Sequence, residues 1–300
     1  MIHSIIDVGS NTIRMVIYKI EGSSYTDIAH ERDFAGLITY VNDGVLLDEG
    51  KKRVISVLSK MADICKKKKC DKVHCFATAS LRSVKNIDSV ISEIKEKTAI
   101  TMEIISGEDE AKYDFYGLMS ETDEISGIGF DLGGGSCQLF KFCDKNLEFF
   151  KSLKIGGQVI YKKFVSGEIP NKEEMQKIYS YITESLAPLS EIKNASYPCV
   201  FAMGGAARNA AKYIISKSKI KKDLSGYKIT KDELTQMCRE ICFSKEGKER
   251  VLNAIPDRLT TIIPGVITII AILDHTGTDT ISIVLHGVRE GYLYEKLLAN

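Results

Sequence analysis

Ile5-Ile6-Asp7-Val8-Gly9-Ser10-Asn11-Thr12 and Gly129-Phe130-Asp131-Leu132-Gly133-Gly134-Gly135-Ser136, 124 residues further on, are two copies of one pattern. Each is an apolar run ending in Asp, then x-Gly, then small residues closing on a hydroxyl, then a second apolar run. The pattern predicts strand, tight glycine turn, strand. Backbone N–H groups of such a turn can converge on an anion, and an Asp at its mouth can hold a hydrated cation. One Asp-x-Gly turn is a weak signal; its repetition predicts two related halves whose turns grip a phosphate chain from opposite sides.

Composition agrees with a folded protein of that kind. The chain has 300 residues, enough for two domains, with 44% hydrophobic and 27% charged residues. A net charge of +1 argues against a general nucleic-acid binder, so DNA is not an expected partner. The eight cysteines form no C-x-x-C pair and have no histidine at zinc-ligand spacing, which predicts free thiols in a reducing compartment. No secretory signal opens the chain. The longest apolar stretch, Ile262 to Leu273, carries Pro264 and Gly265 and is far short of a membrane span. A cytoplasmic protein without a membrane partner is expected.

Periodicity places the elements. Strands are predicted at Ser4–Val8, Thr12–Ile20, Tyr25–Arg32, Lys72–Ala77 and Thr101–Ile105, with helices over Lys51–Lys67, around Ile87–Ile94, and from near Glu108. The polar run Ser120 to Ser126 is the expected boundary, dividing a domain 1–122 from a domain 123–300. The second half restarts with strands at Ile128–Asp131, Cys137–Cys143 and Leu147–Leu153. Helices over 156–165 and 171–193, a strand Cys199–Met203, helical segments to about 273, a strand Thr280–Leu285 and a closing helix follow. The fold class is α/β, with both halves sharing one duplicated fold. The lysine-rich stretches Lys66–Lys69 and Lys217–Lys222 read as solvated helix ends or as a rim attracting a polyanion.

Further segments run from strand ends into helices. Ala77-Thr78-Ala79-Ser80-Leu81-Arg82 places one arginine. Ile104-Ile105-Ser106-Gly107-Glu108-Asp109-Glu110-Ala111 places three acids in a first helical turn. Ala202-Met203-Gly204-Gly205-Ala206-Ala207-Arg208 is an anion or nucleotide turn by its glycines. Pro256-Asp257-Arg258 and Val288-Arg289-Glu290-Gly291 each carry an arginine.

Taken together and in order, these motifs resemble the exopolyphosphatase / guanosine pentaphosphate phosphohydrolase family. That family belongs to the sugar kinase/actin superfamily of duplicated ribonuclease-H-like domains, with an active-site cleft between the domains. The resemblance implies a short form, because longer members continue into a C-terminal helical domain. It implies Glu110 as the catalytic carboxylate that holds or deprotonates the attacking water. It implies Asp7 and Asp131 as the carboxylates that hold Mg²⁺. Gly9, Ser10, Asn11 and Thr12 correspond to the first phosphate loop, and Gly133, Gly134, Gly135 and Ser136 to the second. Gly204 and Gly205 lie in a further phosphate-binding turn. Arg14, Arg82 and Arg258 match positions offering guanidinium groups to phosphate.

In one place the chain departs from the family pattern. The second loop commonly continues Ser-x-Glu, and here reads Ser136-Cys137-Gln138. Gln138 falls opposite Arg14 in the repeat, so its side chain is expected to approach the loop. The leading expectation is a Mg²⁺-dependent hydrolase taking the terminal phosphate from polyphosphate or guanosine pentaphosphate. A phosphotransferase of the same superfamily and a weakly active polyphosphate or alarmone sensor stay open, the last supported by Gln138. Oligomeric state is left open, with a homodimer retained as one partner state.

Overall fold

The structure is a computed structural model that describes residues 1–217 and 223–298. The chain packs as two compact units, one of residues 1–110 with the segment beginning at Tyr292, the other of residues 111–291. The expected boundary at 122/123 thus falls inside the second unit by packing. The reason is the helix Gly107–Met119, whose Phe115 and Leu118 belong to the second unit's core while the polar run after it carries few apolar anchors.

In the first unit, strands β1 (Ile2–Val8), β2 (Ile13–Glu21) and β3 (Ser24–Asp33) form an antiparallel meander. A two-stranded β4 (Val41–Asn42) and β5 (Val45–Leu46) ribbon leads into α1 (Asp48–Lys67). β6 (Lys72–Ala77), α2 (Ala79–Arg82), α3 (Ile87–Thr98), β7 (Met102–Ile104) and the start of α4 (Gly107–Met119) follow. The sheet order is β3-β2-β1-β6-β7, with β6 parallel to β1 and β7 parallel to β6. Alternation sends Ile6, Val8, Ile13, Met15 and Ile17 to a core shared with Val54, Leu58 and Met61 of α1 and Val90 and Ile94 of α3. Ile5, Asp7 and Arg14 therefore take the opposite face.

The second unit repeats this plan. β8 (Gly127–Leu132), β9 (Cys137–Cys143) and β10 (Asn146–Leu153) form the meander. Helices α5 (Gly157–Phe164) and α6 (Lys172–Leu186) precede β11 (Val200–Met203) and α7 (Gly204–Ile215). Then come β12 (Lys228–Thr230), α8 (Lys231–Phe243), α9 (Lys245–Ala254), α10 (Ile262–Thr276), β13 (Thr280–Ile283) and α11 (Val288–Tyr292). The order β10-β9-β8-β11-β13-β12 matches the first sheet strand for strand, with β12 added at one edge. This is the ribonuclease-H-like arrangement, present twice. Ile128, Phe130 and Leu132 face a large core with α10, which is apolar all round and buried along most of its length. On the other face Gly127 and Gly129 leave room for the rings of Phe142 and Phe140; a Cβ at Gly129 would lie 2.4 Å from Phe140 Cζ.

Three local expectations change. The helix expected through 193 stops at Leu186, since Pro188 cannot continue it, and Ser190–Ile192 turns as 3₁₀. β12 replaces part of the helical run expected after Gly205; three residues are too short to show alternation. The closing helix is α11 continued by a π-helical turn, Leu293–Leu298. Lys66–Lys69 forms an exposed end of α1, whereas Lys219, Lys221 and Lys222 lie outside the described residues. All eight cysteines are free, and among the described residues no helix is long and apolar enough to cross a membrane.

The returning C-terminal segment is tied to the first sheet by a polar chain. His3 Nδ1 lies 3.1 Å from His74 Nε2, and His74 Nδ1 lies 3.1 Å from the Tyr292 hydroxyl. Burial lowers the pKa of both imidazoles, helped for His3 by Lys72 and the N-terminal amine, against Asp71, and for His74 by His3 and Lys72. The folded state thus favours neutral rings, while the unfolded chain takes up protons below about pH 6.5. Their contribution to stability is complete above that value and is lost as pH falls through the depressed folded values. We expect the urea midpoint to drop between pH 7.5 and pH 5, and to drop less in His74→Gln. Equal pH dependence in the two proteins would remove this histidine pair from the account.

Candidate active site

The two glycine turns close alike. Gly9 N–H donates to the Thr12 carbonyl at 3.1 Å, and Gly133 N–H donates to the Ser136 carbonyl at 3.0 Å. Each turn also has its carbonyls tied back by a neighbouring element. In the first unit Ser10 and Asn11 carbonyls accept from Ile38 and Gly36 N–H groups at 3.1 and 3.0 Å. In the second unit the Gly133 carbonyl accepts from Gly157, and the Gly134 carbonyl from Gln158 and Val159, at 3.0 to 3.2 Å. This close approach requires Gly156, whose added Cβ would lie 2.4 Å from the Gly134 backbone. Carbonyl oxygens that would repel an anion are thus occupied, a backbone arrangement compatible with anion capture. Among the described residues the buried Thr12 Oγ1 makes no hydrogen bond, so this loop hydroxyl is not committed to the fold.

Strand pairing sets the flanking groups. Asp7 stands opposite Arg14, and Arg14 opposite Arg32 on β3. In the second unit Asp131 stands opposite Gln138. The expectation that Gln138 approaches its loop holds: its Nε2 donates to Ser136 Oγ at 2.8 Å and to Ser152 Oγ at 3.2 Å. It is buried, with 2% of its surface exposed.

Glu110 lies in the first turn of α4, whose entry is capped by Ser106 Oγ accepting from Asp109 N–H at 2.9 Å. Only 6% of Glu110 is exposed. Arg82 Nη1 donates to Glu110 Oε2 and to the Ile105 carbonyl, both at 3.0 Å. One guanidinium nitrogen of Arg82 is therefore spent on orienting Glu110, a task the sequence did not assign to it.

In the second unit the Asp131 carboxylate lies close against the backbone at Gly204. Gly204 has φ +88°, and a Cβ there would meet Asp131 Oδ1 at 2.3 Å and the Leu132 carbonyl at 2.5 Å. Gly205 lies against Arg258, whose Nη2 would be 3.4 Å from an added Cβ. Sequence reasoning quoted Arg208, Arg289 and Glu290 without giving them a role beside this carboxylate, and it missed Glu121 and Asp114. Burial pulls the Arg208 guanidinium below its usual value, countered chiefly by Asp131, with Glu290 and Glu121 adding to it and Arg289 opposing. Burial opposes ionisation of Glu290, yet Arg289 and the Gly287 N–H hold its carboxyl below the usual range. Glu121 accepts from Leu285 and His286 N–H groups at 2.8 and 2.7 Å. Asp114, fully buried on α4, also lies near Asp131. Its signal was its position four residues, one helical turn, beyond Glu110.

With this arrangement in view, the comparisons decide the family. A model of the Ppx/GppA phosphatase family matches residues 16–300. The chain belongs to that family. The match begins after the first glycine turn, so the equivalence of that turn to the second rests on the geometry above. Among curated relatives, the bifunctional 3-dehydroquinate synthase/phosphatase of Fusobacterium nucleatum is 26% identical over 294 residues, covering 92% of this chain and 44% of that protein. The chain thus spans less than half the length of that relative. Exopolyphosphatase 1 of Mycobacterium leprae is 22% identical over 300 residues, covering 98% of this chain and 88% of its own. The crystal structure of an exopolyphosphatase from Cytophaga hutchinsonii superposes with a TM-score of 0.88 at 24% identity, covering 98% of this chain and 97% of that one; it shows a shared fold.

Gly204 provides a test of this geometry. Gly204→Ala forces a side chain into the left-handed region and onto Asp131. We expect a loss of about 1–3 kcal/mol in unfolding free energy, read from urea denaturation. An unchanged midpoint would show that β11 and α7 can separate from Asp131 at little cost.

Proposed function

We propose that this protein is a Mg²⁺-dependent phosphohydrolase that releases terminal phosphate from inorganic polyphosphate or guanosine pentaphosphate. The observation that carries the reading is Glu110: a buried carboxylate in a first helical turn, oriented by Arg82 at 3.0 Å. Membership of a phosphatase family supports phosphate as the group acted upon, and the exopolyphosphatase relative supports a phosphoanhydride substrate. Both candidate substrates end in the same phosphoanhydride.

The chemistry follows from the residues. Within each unit, turn N–H groups with the Thr12 or Ser136 hydroxyl bind phosphate oxygens, and Arg14 or Arg258 offsets their charge. Glu110 holds a water for attack on the terminal phosphorus and takes its proton as the new P–O bond forms. Arg82 keeps the carboxylate in place. The leaving chain departs as a phosphate anion one unit shorter.

Among the described residues no group of three or more His, Cys, Asp and Glu gathers around a metal position. Mg²⁺ favours one or two carboxylates plus water and substrate oxygens. Asp131, at the mouth of the second turn, is the carboxylate of its unit that would hold it, and Asp7 is its counterpart at the mouth of the first turn in the other unit. When bound, Mg²⁺ neutralises charge on the phosphate oxygens.

Glu110→Gln is expected to keep the fold and polyphosphate binding while lowering kcat by about two to four orders of magnitude. Phosphate release from long polyphosphate, short polyphosphate and guanosine pentaphosphate measures it and ranks the substrates. Undiminished kcat in the purified variant would refute the role of Glu110.

A further inference from the structure

We propose that Cys65 and Cys70 are a redox-modifiable dithiol, closing to a disulfide that staples the C-terminal cap of α1 when the chain meets a small-molecule disulfide. The pair lies wholly in the first unit and does not depend on the phosphohydrolase reading.

Backbone geometry brings the two residues together. α1 runs out through Cys65-Lys66-Lys67-Lys68-Lys69-Cys70. Lys69 takes a left-handed φ of +54°. Its N–H donates to the Lys66 carbonyl at 3.1 Å, and the Cys70 N–H donates to the Cys65 carbonyl at 3.0 Å. These are the two bonds of a Schellman cap, in which the residues joined by the longer-range bond also bring their side chains into contact. Across the Cys65 carbonyl, the 3.0 Å hydrogen bond and the Cys70 N–Cα bond, the two Cα atoms are at most about 6.9 Å apart with every link in line. The bend of the cap shortens that path, and disulfides span Cα separations of about 4.4–6.8 Å.

The side chains agree. Cys65 is buried, and Cys70 packs half-buried against the same core. Cys65 Sγ lies 3.6 Å from Met15 Sδ on the inner side of that cap. Burial, then the charge of the Cys65 thiol and a hydrogen bond with it, push the Cys70 thiol up to about 12. A thiol held that high carries little thiolate at neutral pH, so the pair exchanges slowly and stays reduced without an oxidant. Closure would fix more than a helix end. Asp71, the next residue, accepts from the Ile2 N–H through Oδ2 at 2.7 Å and donates its own N–H to the Ile2 carbonyl at 2.8 Å. The cap thus leads directly into the start of the first sheet.

The exchange has two steps. Cys70, the more accessible thiol, attacks one sulfur of the small disulfide as its thiolate, forming a mixed disulfide and expelling one small thiol. Cys65 then attacks Cys70 Sγ, the Cys65–Cys70 bond forms, and the second small thiol leaves. The two protein thiols are oxidised, the small disulfide is reduced, and the two protons end on the two small thiols.

The test treats the full folded chain with glutathione disulfide at about pH 9, where more thiolate is present. The count of free thiols should fall by two from the eight of the reduced chain. Trypsin, cutting at the lysines between the two cysteines, should release Met61–Lys66 linked to Cys70–Lys72. The linked chain should melt about 2–4 °C higher, and dithiothreitol should reverse both changes. Cys70→Ser under the same treatment should show neither, and the peptide map of the unmodified chain decides the matter should that variant fold poorly. Glutathione remaining on Cys70 without a link, or eight unreacted thiols, would overturn the proposal. So would a link from Cys65 to the peptide Val73–Arg82 that carries Cys75, or a Cys65–Cys70 link that leaves the melting temperature unchanged.

Discussion

The hydrogen bond from the glycine N–H to the hydroxyl residue three positions on, Gly9 to Thr12 and Gly133 to Ser136, is the constraint from which the rest of the structure follows. It reverses the chain within four residues, so two apolar strands become neighbours and the Asp before the turn is fixed at its mouth. It also obliges the intervening carbonyls to point away, where each unit supplies backbone donors to meet them. Those donors come from different elements in the two halves: the 3₁₀ turn Leu37–Tyr40 with its N-cap Gly36, and the N-terminus of α5. A shared demand for carbonyl partners, met in two ways, is what duplication followed by divergence leaves behind.

Glycine recurs in these units wherever two backbones or a backbone and a carboxylate must meet. Gly156 admits the second turn, Gly204 admits Asp131, and Gly117 and Gly287 admit each other. The recurring cost is conformational entropy in the unfolded chain. It is offset by a core that runs through α10 and the apolar side of β8. The polar side of the same sheet can then carry Asp131, Gln138 and the buried charges around Arg208 without losing the fold.

The positions of charge give the two units distinct character. In the first, Asp7, Arg14 and Arg32 form a row across three strands, a mixed surface with cationic excess suited to phosphate. In the second, Asp131 lies among buried charges of both signs, with Arg208, Arg289, Glu290 and Glu121 acting on one neighbourhood.

Much of this was legible in the residue order alone. Strand-turn-strand periodicity, the repeat of Asp-x-Gly, and the run of motifs from Ala77 to Gly291 determined the α/β class, the duplication and the family, because these depend on local spacing and turn chemistry. The approach of Gln138 to its loop was also readable, since the repeat aligns it with Arg14 on the strand after the turn. Only the tertiary structure decided which units the chain forms, because α4 is drawn across the expected boundary by aromatic packing. It alone showed Arg82 on Glu110 and Asp114 beside Asp131. Those pairs join residues far apart in sequence, or on elements whose facing sides depend on how helices settle on a sheet, and no local pattern encodes that contact.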